Sequence, residues 1–259
     1  MITTEQQKVF SLAVKAGEIL MRSGGEIYRI EDTVKHICKA SGIPYIEVFA
    51  TPTGIMVSIG SDEVLSDTKT YIKAIRSRET DLHRISAVND LSRRFTRGET
   101  SLEEALKEIR EIENMGAYTL PLKLIGAAFT AGFFGLLFKG SPTDGLLAAI
   151  VGIIAYLLSI FLNKYEISFA ISDFLCCSLA TLLALLCEAF GLATTPDYII
   201  IGSLMLFVPG AALTNGLRDL LSGDMLSGLS RITEALNIAL SLATGAGLVL
   251  TLWHSLGGI

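Results

Sequence analysis

The stretch Tyr118-Thr119-Leu120-Pro121-Leu122-Lys123-Leu124-Ile125-Gly126-Ala127-Ala128-Phe129-Thr130-Ala131-Gly132-Phe133-Phe134-Gly135-Leu136-Leu137-Phe138 carries a single charged side chain, Lys123, in 21 positions. A helix of that length rises about 32 Å, enough to cross the roughly 30 Å of hydrocarbon in a bilayer. The stretch therefore reads as a transmembrane helix, and it marks a border in the chain. Residues 1–117 hold 16 Lys/Arg and 18 Asp/Glu, whereas residues 118–259 hold 5 and 8. Two solvents are implied by that split, and a chain that is 51% apolar and only 18% charged agrees. The expected fold is an α-helical integral membrane domain of about five transmembrane helices, one of them broken at Pro-Gly, over residues 118–259. A soluble α+β cytosolic domain, residues 1–117, precedes it.

Working outward from the first span, the apolar runs fall at 118–138, 145–162, 167–190, 198–217 and 235–256. The second and fourth carry no charge, the third carries Asp173 and, near its end, Glu188, and the last has only His254 as a titratable group. If the N-terminal part is cytosolic, Lys164, Arg218 and Arg231 lie on the inner side and only Lys139 lies outside, which satisfies the positive-inside rule. The start Met1-Ile2-Thr3-Thr4-Glu5-Gln6-Gln7 lacks the basic and apolar regions of a secretory signal. The expected location is the cell (inner) membrane, multi-pass, with the N-terminal domain in the cytosol. Small residues recur every fourth position at Ser172, Cys176, Ala180 and Ala184, and again at Ala239, Ala243 and Gly247. Such stripes let helix backbones approach closely in lipid.

In the N-terminal part, Val9, Leu12, Ala13, Ala16, Ile19 and Leu20 follow a helical period that ends at Arg22-Ser23-Gly24-Gly25, and a second helix is predicted from about Glu26 to Ala40. Tyr45–Ala50 and Ile55–Ile59 are β-rich and are separated by Thr51-Pro52-Thr53-Gly54, a hairpin signal. A third strand is expected near Thr68–Ile75. One further helix carries Leu82, Ile85, Val88, Leu91 and Phe95, and another opens on the capping box Ser101-Leu102-Glu103-Glu104.

No H-E-x-x-H, G-x-S-x-G, Walker loop or paired-cysteine pattern occurs, so no catalytic residue, metal site or cofactor is expected. The four cysteines read as free thiols that act as small apolar residues. The net charge of −5 is shared between the two parts and leaves no basic surface for nucleic acid. An alternative class, a membrane-tethered sensor or hydrolase acting through the soluble domain, rests on Glu26, Glu31, Asp32 and His36, which can gather on one side of the second helix.

The densest polar cluster of the membrane part begins at Phe207-Val208-Pro209-Gly210. The Pro209 ring removes a backbone donor and crowds the preceding turn, so the helix breaks there. The second half-helix then begins with free N–H groups and a positive dipole end suited to a carboxylate. Thr214, Asn215, Arg218 and Asp219 follow, and spacings of three and four put Asn215, Arg218 and Asp219 on adjoining faces. The candidate substrate-binding residues are Pro209, Gly210, Thr214, Asn215 and Arg218. Asp173, an ionisable group inside a span, and Asp219 are coupling candidates, together with Asp224.

Three runs of the N-terminal part, Ser23-Gly24-Gly25-Glu26-Ile27-Tyr28-Arg29-Ile30-Glu31-Asp32-Thr33, Pro52-Thr53-Gly54-Ile55 and Val88-Asn89-Asp90-Leu91-Ser92-Arg93-Arg94, resemble the N-terminal domain of the threonine/serine exporter family. The membrane part is similar to that family at Val208-Pro209-Gly210 and at Thr214-Asn215-Gly216-Leu217-Arg218-Asp219-Leu220-Leu221-Ser222-Gly223-Asp224. The resemblance implies export of a small carboxylate-bearing substrate. It further implies either a single chain of about ten spans or, as this chain suggests, the large five-span subunit of a two-component branch. That branch pairs with a small companion membrane subunit and is linked to C4-dicarboxylates such as succinate. The expected partners are thus the carboxylate substrate, the lipid membrane, and a companion subunit and/or further copies of the chain.

Overall fold

The computed structural model describes residues 3–60, 68–75, 80–116, 118–193 and 195–257. Ala117, at the composition border, lies outside the described residues, as do Gly258 and Ile259, beyond the last apolar run. The chain divides into two compact units, one made of residues 1–116 with 214–232 and the other of residues 117–213 with 233–259.

In the first unit, helix α1 (Thr4–Arg22) opens on a reciprocal capping box between Thr3 and Gln6 and buries Val9, Leu12, Ala13, Ala16, Ile19 and Leu20. Gly24, with φ +78°, turns the chain into α2 (Ile27–Ala40). Strands β1 (Tyr45–Thr51), β2 (Gly54–Gly60) and β3 (Thr68–Ala74) form an antiparallel meander in the order β1-β2-β3. The register Thr51↔Gly54 leaves Pro52-Thr53 as a two-residue loop. Alternation puts Ile55, Val57 and Ile59 of the central strand into the core. Helices α3 (Leu82–Thr96) and α4 (Leu102–Glu113) follow, the latter opened by the Ser101–Glu104 capping box. One apolar cluster joins α1–α4 to the sheet.

The remaining helices are α5 (Leu120–Leu137), α6 (Pro142–Lys164), α7 (Phe169–Ala189), α8 (Pro196–Leu204), α9 (Gly210–Leu221) and α10 (Met225–Ser255). Four of them, α5, α6, α7 and α10, are long and apolar enough to cross a membrane. The fourth apolar run of the sequence is two shorter helices, of 9 and 12 residues, separated by Met205–Pro209. The break starts four residues before Pro209 for a stereochemical reason: Pro209 has no N–H for the Met205 carbonyl, and its ring collides with that carbonyl's turn.

The second unit packs in the sense expected for lipid, with small residues inside and large ones outside. Ala148, Ala155, Ala180 and Ala184 are fully buried, together with Ile199 of α8, whereas Phe129, Phe133, Leu157 and Phe161 stay exposed. The stripe Ser172, Cys176, Ala180 and Ala184 is buried as a whole. The expected stripe on α10 is not the packed one. Ala239 and Ala243 are exposed, and α10 instead meets α7 through Leu242 and Gly245. Cys177 Sγ donates to the Leu242 carbonyl at 3.0 Å, and Ser178 Oγ donates to the Gly245 carbonyl at 3.3 Å. These interhelical bonds favour a face shifted from the one that residue size alone selects.

A Cβ at residue 245 would stand 2.6 Å from the Phe174 carbonyl oxygen, a backbone atom that cannot swing away. Gly245→Val is expected to lower stability by about 1–3 kcal/mol, read as a lower unfolding midpoint in detergent, whereas Gly247→Val, with open space at its Cβ, is expected to change it little.

Candidate functional site

Helix α2 begins without a side-chain cap of its own, since Glu26 at the N-cap makes no capping bond. Residues of α9 and α10 close on the turn that precedes it, and Asp219 of α9 is 0% exposed. Arg231 of α10 then holds the set together: its Nε lies 3.1 Å from Asp219 Oδ2, and its Nη2 donates to the Gly25 carbonyl at 2.6 Å. Asn215 Nδ2 donates to the Gly24 carbonyl at 3.3 Å, and Arg218 Nη1 pairs with Glu26 Oε1. The Gly24-Gly25-Glu26 turn is thus gripped residue by residue by one face of α9 and the first turns of α10. All of these residues belong to the first compact unit.

The hairpin that brings these groups together is set by backbone chemistry. Gly223, φ +94°, reverses the chain after α9, and the Asp224 amide donates back to the Asp219 carbonyl at 2.9 Å. Helices α9 and α10 then approach until a Cβ on Gly228 would meet the Gly216 carbonyl oxygen at 2.8 Å.

The two ion pairs differ in character. The Asp219 and Arg231 side chains are 0% and 7% exposed, so stripping one partner leaves a buried charge, a loss of about 3–5 kcal/mol. Arg218 is 55% exposed and its partner Glu26 only 10%. Water reaches the guanidinium, and pairs of this sort contribute about 1 kcal/mol or less. The first pair is structural, and the second can exchange its carboxylate. Burial pushes the Glu31 carboxyl above its ordinary range; its Oε1 accepts from the Ala50 amide at 2.8 Å, and Asp224 adds to the rise.

Among the sequence candidates, Asn215, Arg218, Asp219 and Asp224 come together at the first unit's hairpin. Thr214 opens that segment and is exposed. Pro209 and Gly210 stand at the helix break and belong to the second unit, as does Asp173. Asp173 is half-buried, one turn from the start of α7, which begins two residues later than the apolar run suggests. The four residues behind the hydrolase alternative do not gather: Glu26 turns to Arg218, Glu31 to the β1 backbone, and Asp32 to His36 at 3.0 Å. Two participants escape the sequence reading. Arg231 enters it only as a flanking positive charge, although a lone guanidinium at the seventh position of an apolar helix is itself a signal. Glu26 enters only as an acid, with no sign that its partner lies 192 positions away.

Comparison with known proteins adds the family context. A family model described as "ThrE: Putative threonine/serine exporter" matches residues 11–253. The chain is similar to a protein of Mycobacterium tuberculosis named "Probable threonine/serine exporter", 26% identical over 98% of this chain and 46% of that one. It is similar to the "Threonine/serine exporter" of Corynebacterium glutamicum, 26% identical over 93% of this chain and 50% of that one. The chain therefore spans about half the length of these two curated relatives. It also matches the "Probable succinate transporter subunit YjjP" of Escherichia coli, 21% identical over the full length of both chains. No solved structure matches.

Asp219→Ala is expected to destabilise the protein by about 3–5 kcal/mol by orphaning Arg231, seen as loss of folded, monodisperse material in detergent; near-parental stability would contradict a structural pair. A second expectation concerns pH. A carboxyl with a raised pKa favours the folded state while protonated, so its contribution is full below the ordinary 4.5 and is lost as pH rises through the raised value. Glu31→Gln retains an acceptor for the Ala50 amide and has no charge to bury. The variant should unfold at a higher temperature than the parent near about pH 7 and at the same temperature near about pH 4.

Proposed function

Because the chain belongs to the threonine/serine exporter family, we propose that it is a subunit of a membrane transporter that exports a small carboxylate-bearing metabolite, a threonine/serine-type amino acid or a C4-dicarboxylate such as succinate. The observation that carries the reading is the Arg218–Glu26 pair, a half-exposed guanidinium already bonded to a carboxylate of the chain itself. A substrate carboxylate presents the same two oxygens and competes for the same fork of donors. In this mechanism Glu26 occupies Arg218 in the resting state, substrate displaces it, and Asn215 adds a polar contact. The break at Met205–Pro209, with Gly210 opening the next helix, serves as the hinge for alternating access. Thr214 lines the approach. Asp219, Asp224 and Asp173 are the groups proposed to link transport to protons.

We place five crossings in the membrane: the four long helices, and α8 with α9 as one interrupted crossing. α9 enters this crossing with its first residues, and its later part, from residue 214, belongs to the unit that includes residues 1–116. Residues 1–117 then form a cytosolic domain, and the basic flanks Lys164, Arg218 and Arg231 lie on its side of the inner membrane. The chain's half-length relation to the two exporters, and the word "subunit" in the name of the E. coli relative, support a second membrane component. We assign that role to a small companion subunit and/or further copies of this chain.

Efflux of labelled threonine, serine and succinate from proteoliposomes, with and without the companion subunit, tests the assignment. Arg218→Ala, inserted to the same level, is expected to cut efflux of the true substrate by about 100-fold, and Arg218→Lys, which keeps charge but loses the planar fork, by about tenfold. Parental efflux from Arg218→Ala would refute the substrate role.

A further inference from the structure

A second polar feature of the first unit plays no part in this mechanism. Helices α2 and α3 enclose a cleft of about 270 Å³. One wall comes from Arg29, Asp32 and His36 on α2, the other from Asn89 and Arg93 on α3. Thr33 and Ser92, 9% and 8% exposed, add buried hydroxyls to the lining. The spacings are those of single helix faces, since 29, 32, 33 and 36 and likewise 89, 92 and 93 are three or four apart. Two of the sequence runs noted at the outset, residues 23–33 and 88–94, supply most of this lining, although their polar residues do not serve the apolar core.

Charge points to the occupant. Arg94 is consumed by Asp90 and Glu108. Its neighbour Arg93 is exposed, and among the described residues no carboxylate pairs with it. Among the described residues the carboxylate paired with Arg29 is Glu26, through Oε2 at a loose 3.8 Å. Asp32 is engaged by His36 at 3.0 Å. Two guanidinium groups with spare donors thus stand against one occupied carboxylate, and the cleft carries a net positive charge. Hydroxyl and amide groups beside them suit a ligand that is polar along its length. A volume of this order suits a small metabolite.

We propose that the cleft between α2 and α3 is a binding site for a small carboxylate-bearing metabolite, whose carboxylate is taken by Arg93 and Arg29 and whose remaining polar groups are met by Asn89, Thr33 and Ser92. The site is distinct from Arg218 and does not depend on the transport reading, because it requires binding and no flux. Arg29 lines the cleft and also lies 3.8 Å from the Glu26 carboxylate that pairs with Arg218.

Calorimetric titration of the full chain in lipid nanodiscs with threonine, serine, succinate and inorganic phosphate tests the proposal. The parental chain and Arg218→Ala should both bind at least one of the three carboxylates, and which one distinguishes an amino acid from a dicarboxylate. In the Arg218→Ala background, Arg93→Gln should weaken that binding by about tenfold or more, Asn89→Ala should weaken it less, and neither should move the unfolding midpoint. Binding that is equal in Arg93→Gln, no carboxylate binding at all, or phosphate binding as tight as the best carboxylate would overturn it. Loss of binding in Arg218→Ala with no effect of Arg93→Gln would overturn it as well, by placing the ligand at Arg218. Abolished efflux with intact binding in Arg218→Ala would leave both sites standing as separate.

Discussion

A guanidinium withdrawn from water needs a carboxylate and carbonyl oxygens around it, and Arg231 finds both at a single place. Asp219 supplies the charge, and the Gly25 carbonyl supplies the second acceptor. The two acceptors come from distant parts of the chain, residues 219 and 25. This pairing ties residues 214–232 to residues 1–116, with which they form one compact unit. The remaining contacts at the turn, Asn215 to Gly24 and Arg218 to Glu26, are possible only once this pair fixes the hairpin against the turn.

A division of labour between two arginines follows from exposure alone. Arg231 is sealed, and its loss would be a folding defect. Arg218 is open to water on one side and holds a carboxylate on the other, the condition under which one anion can be exchanged for another at small net cost. A transporter needs both properties close together, a fixed frame and a replaceable contact. The structural pair supplies the frame without depending on substrate. Two relatives of this chain, a threonine/serine exporter and a succinate transporter subunit, are named for metabolites that share a carboxylate.

Much of the fold was legible in the sequence where a single local rule governs. The capping box at Ser101, the Thr51–Gly54 hairpin turn and the β-rich run 55–59 each depend on residues a few positions apart. The broken helix was legible for the same reason, although the break opens a turn earlier than Pro209 itself because the ring acts on the preceding turn. Size-based stripes served for α7 and failed for α10, where Cys177 and Ser178 select the Leu242–Gly245 face through hydrogen bonds that hydropathy does not register. The candidate site was half legible. Polar residues after a Pro-Gly break announce Asn215, Arg218 and Asp219, but no pattern on α9 reveals that their partners are Gly24, Gly25 and Glu26. Such pairings are properties of chain topology, and they span some two hundred residues.

The central claim is that Glu26 and the substrate compete for Arg218. The concentration dependence of efflux from proteoliposomes containing Glu26→Gln, compared with the parent at matched insertion, measures that competition directly. Removing the resident carboxylate should lower KM for the transported carboxylate, whereas an unchanged or raised KM would contradict the account.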